Sequence, residues 1–173
     1  MTISQYQIGV YELEFKGAIP ETSLVLPKFN NGHWTFEEQM GTTSHCGFIY
    51  VIRDKALKML YLGKKTYRSN GKLKAGTETN WRKYKSSSPV LKEMWKERPI
   101  YDEFEFICIE QYKMKGALGY AETWSLCHVE APTKDHWYNR LVEKVAWNVK
   151  EGITDRHRAR LDAAVNWEDF DEN

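Results

Sequence analysis

Apolar and polar residues alternate in short blocks along this chain. Residues 47–53 and 58–64 are two apolar runs around a charged break at Arg53-Asp54-Lys55, the pattern of a β-hairpin. Phe104, Phe106 and Ile107-Cys108-Ile109 predict a third strand. Between them lie a polar, basic loop over 66–80 and a helix start at Ser86-Ser87-Ser88-Pro89, with serines to cap and a proline for the first turn. Val90, Leu91, Met94 and Trp95 give that helix an apolar face ending before Pro99. Leu118, Ala121, Trp124 and Leu126 fall at helical spacing and predict a helix over 117–128. A short helix is expected within 137–149, and a last one over 154–165 with Thr154 as its cap. Residues 6–15 alternate imperfectly and predict a strand, after which Pro20, Pro27 and Asn30-Asn31-Gly32 break the chain into loops. Three strands interleaved with helices imply a small mixed α/β domain over 46–165, after an N-terminal extension of 1–45 and before an acidic tail of 166–173.

Charge changes that picture more than length does. The 173 residues carry a formal charge of +1, but residues 53–98 hold fourteen basic and four acidic groups. Such a concentrated basic segment suits a polyanion. Cys46, Cys108 and Cys127 lie far apart with no Cys-x-x-Cys spacing, which argues against zinc and fits a reducing compartment. No apolar run reaches membrane-spanning length, and the first residues lack a secretory pattern. The expectation is a cytoplasmic protein with no membrane partner.

Gly47-Phe48-Ile49-Tyr50 followed by Tyr61-Leu62-Gly63 resembles the GIY-YIG nuclease family. Trp81-Arg82-Lys83-Tyr84-Lys85-Ser86-Ser87 is similar to a run found in phage-type members, where a longer loop precedes the essential arginine. The resemblance covers roughly residues 46–145. It implies an α+β fold with a small central three-stranded antiparallel sheet flanked by helices. It also implies a metal-dependent endonuclease that hydrolyses DNA phosphodiesters, double-stranded DNA above all. Double-strand cutting by one site would need a homodimer on DNA or two visits.

Hydrolysis of a phosphodiester needs an activated water, charge neutralisation, a stabilised leaving oxygen and a substrate held in line. The resemblance assigns these tasks residue by residue. Tyr50 and Tyr61, eleven positions apart, would orient and deprotonate the water. A free phenol titrates near about 10, so nearby cations must favour its ionised form; the sequence does not choose between the two. Arg82 would clamp phosphate with its planar fork, with Arg68 as the competitor. Lys64 would contact phosphate, Glu122 would hold one Mg²⁺ or Mn²⁺, and Asn139 would steady the site. Ser86 stands where the family usually has an aromatic or histidine, with Tyr84 its nearest replacement. Lys65, Arg68, Lys72, Lys74, Lys83 and Tyr84 are candidate contacts to nucleic acid. The alternative is a binding module that keeps this fold without the chemistry.

Overall fold

The computed structural model describes residues 29–69, 76–140 and 151–166. The hairpin forms where the two apolar runs predict it. β1 (Gly47–Asp54) pairs antiparallel with β2 (Met59–Thr66) on one side. It pairs antiparallel with β3 (Phe104–Tyr112) on the other, giving the order β2-β1-β3. β1 is therefore central and buried along its whole length, whereas β2 is an edge strand.

The charged break is shorter than the sequence suggests. Arg53 and Asp54 belong to β1 and are 1% and 0% exposed. A buried charge needs a partner. Asp54 accepts two 2.7 Å hydrogen bonds from the Arg98 guanidinium and a third, also 2.7 Å, from the Tyr138 hydroxyl. Burial alone would raise the Asp54 carboxyl, but these bonds outweigh it and hold the group below its usual range.

Strand alternation sorts the apolar residues onto two faces. Ile49, Val51, Leu60, Leu62 and Ile109 face one way, under α3 (Lys115–His128) and α4 (Asp155–Val165). Phe48, Tyr50, Ile52, Phe106 and Cys108 face the other way, under Trp34, Met40, Trp81 and Leu91. The β1–β3 register shifts between Ile49 and Tyr50, so Ile109 and Glu110 both stay on the α4 side. Glu110 is buried there and takes two hydrogen bonds from Arg156 of α4, at 2.9 and 2.7 Å.

The helices differ from expectation in instructive ways. α1 (Pro89–Met94) is capped by Ser88 as predicted, but only Leu91 is buried, and Val90 is 52% exposed. A one-turn helix, α2 (Ile100–Glu103), precedes β3 where only a lead-in was expected. α4 begins after Thr154, whose hydroxyl accepts from the His157 amide at 3.0 Å. The expected helix within 137–149 is absent over Trp137–Arg140, because this stretch runs beside β2 and spends its backbone there. The Leu60 amide donates to the His136 carbonyl, and the Tyr138 amide to the Leu60 carbonyl. Residues 141–150, the strand expected at 6–15 and most of the acidic tail lie outside the described residues. Residues 34–40, part of the stretch read as an extension, pack onto the sheet: Trp34 and Met40 are buried, and Thr35 pairs with β3 at Phe106 and Cys108. Among the described residues no helix is long and apolar enough to cross a membrane.

Candidate active site

The hairpin brings the two tyrosines together. Tyr50 and Tyr61 lie on the same face with ring centroids 6.2 Å apart. Their environments differ. Tyr50 is 1% exposed, and burial pushes its phenol well above the ordinary value, with Tyr61 and Tyr84 adding to the effect. It is hydrogen-bonded to Tyr84 and Ser86. Tyr61 is only partly buried, and its hydroxyl lies 3.5 Å from that of Ser87. Of the two, Tyr50 is locked as a neutral hydroxyl and Tyr61 is the one within reach of solvent.

Gly63 completes this arrangement. A Cβ there would lie 2.6 Å from the Tyr50 hydroxyl, so only glycine lets that phenol reach the plane of β2. The next residue, Lys64, points to the opposite face, where its ammonium lies 2.5 Å from the Glu122 carboxylate of α3. The tyrosine cluster and the Lys64–Glu122 pair thus lie on opposite faces of the sheet, on either side of Gly63 in the edge strand.

Asn139 acts on the same strand. Its side-chain carbonyl accepts from the Leu62 amide at 2.8 Å, and its amide nitrogen donates to the Leu62 carbonyl at 2.9 Å. A side chain here imitates a neighbouring strand and fixes the rung beside Gly63.

The remaining candidates are placed differently. Arg82 hydrogen-bonds Glu78 and, at 3.0 Å, the Asn30 carbonyl, and lies 4.2 Å over the Trp81 ring. No contact among the described residues joins Arg82 or Arg68 to Tyr61 or Glu122. Tyr84 meets Tyr50 edge to face and carries the Lys65 ammonium 3.9 Å above its ring, so it belongs to the tyrosine cluster as well as to the surface. Burial lowers the Lys65 ammonium's affinity for its proton. Lys83 is exposed, and Lys72 and Lys74 lie outside the described residues. Sequence reasoning saw the serines of 86–88 as helix caps, and Ser86 also as a departure from the family's usual aromatic or histidine. Their nearness to the tyrosines depends on a fold-back of 81–88 that no local pattern announces.

No group of three or more His, Cys, Asp or Glu side chains suited to a metal occurs among the described residues. One carboxylate beside a lysine is a donor set that fits a hard divalent cation bound mostly by water and phosphate oxygens.

A family model described as "Putative endonuclease segE, GIY-YIG domain" matches residues 32–142. The chain belongs to the SegE GIY-YIG family. No curated protein and no solved structure matches the chain. The SegE GIY-YIG match begins before the hairpin and ends just past Asn139. It takes in the segment bearing Trp34 and Met40 together with the tyrosines, Lys64 and Glu122. An endonuclease-type domain and the expected sheet are therefore both in place.

Proposed function

We propose that this protein is a divalent-metal-dependent endonuclease that hydrolyses DNA phosphodiesters at the rim of β2. The observation that supports the reading is that Tyr61 and Lys64 flank Gly63 on one edge strand, Tyr61 on the face it shares with Tyr50 and Lys64 on the other face, where it meets Glu122 of α3. Tyr61, the more accessible of the two, gives its own proton to solvent and, as the phenolate, holds the attacking water and takes up its proton. Tyr50 stays protonated and fixes the cluster from below by hydrogen bonding. Lys64 releases part of its hold on Glu122 and binds a non-bridging phosphate oxygen. Glu122 would hold Mg²⁺ or Mn²⁺, which supplies charge neutralisation at the phosphate when bound. Asn139 keeps β2 in register and touches no substrate.

The test is cleavage of supercoiled plasmid by purified protein with Mg²⁺ or Mn²⁺, with EDTA and Glu122→Ala as controls. Metal-dependent nicking or linearisation lost in the variant is the expected result. Full activity in Glu122→Ala would sink the metal assignment. A second reading, a binding module without chemistry, draws support from Arg82, whose guanidinium is turned to Glu78 rather than toward Glu122. It expects DNA shifted in a gel and never cut under any metal.

A further inference from the structure

A cavity of about 210 Å³ opens where the end of β2 meets the start of α3 and the loop before β1. Thr43, Ser44, Thr66, Arg68, Lys113 and Lys115 are among its lining residues. Three cations and three hydroxyls form an anion's environment, and no carboxylate lines the cavity. No ion pair among the described residues ties Arg68, Lys113 or Lys115 to an acid. Two carboxylates lie close by: Glu78 pairs with Arg68 across an isolated bridge and takes hydrogen bonds from Trp81 and Arg82, and Glu151 acts electrostatically on Cys46 of the cavity wall. Charges of one sign gathered in a recess repel each other, and an anion there would relieve the repulsion.

The cavity is aligned with the candidate active site. Lys64, Thr66 and Arg68 share one side of an extended chain, so Thr66 lies about 7 Å beyond Lys64. Lys115 and Glu122 are seven residues apart on α3, two turns along one face and about 10 Å along the axis. Strand and helix therefore place the cavity and the Lys64–Glu122 pair on one line.

Between them, on the same helix face, lies Gly119. A Cβ at Gly119 would meet nothing within 4 Å. Glycine inside a helix costs roughly 0.5–1 kcal/mol relative to alanine. Packing does not require this one, because no neighbour crowds it.

We propose that this cavity is a second phosphate site, holding a nucleic-acid backbone phosphate next to the one being cleaved, with Gly119 left bare so that the intervening sugar-phosphate can lie against α3. The proposal rests on the nuclease reading for the identity of the polyanion, but its test does not need cleavage. A labelled 30-base-pair duplex is titrated in EDTA across a salt series with wild type, Arg68→Ala/Lys115→Ala, Gly119→Leu and, as a control, Lys134→Ala. The double variant is expected to bind about tenfold more weakly, the size of one to two charge-assisted contacts. Its plot of log affinity against log salt should flatten by about two units. Gly119→Leu removes no charge and leaves the helix at least as stable, yet is expected to weaken binding to a similar degree. Lys134→Ala is expected to match wild type. Binding by both groove variants with wild-type affinity and slope, and normal melting, would overturn the second site while plasmid cleavage kept the nuclease intact. A duplex bound through this groove but never cut would do the reverse.

Discussion

A Cβ built on Gly63 lies 2.6 Å from the Tyr50 hydroxyl and 3.1 Å from the Tyr61 ring, so one methyl group there forces the two phenols to shift. Gly63→Ala is expected to cost about 1–3 kcal/mol of stability by overpacking. It should also lower the plasmid nicking rate beyond what that loss explains; urea titration and initial rates on the same preparation separate the two. His157 is a second single-residue case. It is fully buried, with Tyr112 and Ser125 hydroxyls at 2.9 and 2.8 Å on its two ring nitrogens, and burial lowers it to about 4. The unfolded chain takes up that proton near 6.5, before the folded one does, so stability is present above about pH 6.5 and drains away as pH falls toward 4. The loss from this site is at most about 3 kcal/mol. His33 is lowered to about 4 in the same direction. Denaturant melts from pH 7.5 to 4.5 should therefore show a slope that His157→Gln reduces without abolishing; an unchanged slope would rule the site out. Tyr50 and Tyr61 were legible from the sequence because a hairpin is local. His157 was not, since its partners come from β3 and α3, more than thirty residues away.

At the scale of elements, the hairpin depends on two clasps. Arg98, arriving from the turn after α1, closes on Asp54 at the hairpin's end. Removing one partner of so buried a pair strands the other, and Arg98→Ala is expected to cost about 3–5 kcal/mol. Thermal unfolding against the double variant Arg98→Met/Asp54→Asn checks this, because the double variant should recover part of the loss. Asn139 is the other clasp. Asn139→Ala leaves a buried N–H and C=O of Leu62 unpaired, worth about 1–3 kcal/mol. Hydrogen exchange should rise first at β2 amides, and a uniform rise would count against the clasp. β1 and β3 were readable as short apolar runs buried on both faces, and β2, α3 and α4 by their apolar faces. The stretch at 137–140 was read as helical because its register depends on β2, not on its own pattern.

For the whole molecule, charge counted along the sequence and charge on the surface are different quantities. Arg53 and Arg98 belong to the basic middle segment yet serve as structural cations, Arg53 buried and Arg98 partly buried. Lys113 and Lys115 lie outside that segment yet join the basic cavity. The alternating arginines of α4 are also committed: Arg156 to Glu110 and Glu38, and Arg160 to Glu37. Neutralising Arg156 and Arg160 is therefore expected to lower the melting temperature while changing duplex affinity less than the groove variants do. Calorimetry and anisotropy together check it, and a large affinity loss with an unchanged melt would place α4 on the DNA.

The outer rim of β2 carries a further meaning for how two such molecules can meet. Backbone groups that an edge strand would offer to a stranger are already taken, at Leu60 by His136 and Tyr138, at Leu62 by Asn139, and at Thr66 by the Thr79 hydroxyl. Across the sheet, Thr35 occupies the rim of β3. Two copies brought side by side on one duplex would find these rungs occupied, which disfavours zipping their sheets into a continuous one. Any pairing between them must be made by side chains or by the nucleic acid itself, and so can be undone when the cut ends part.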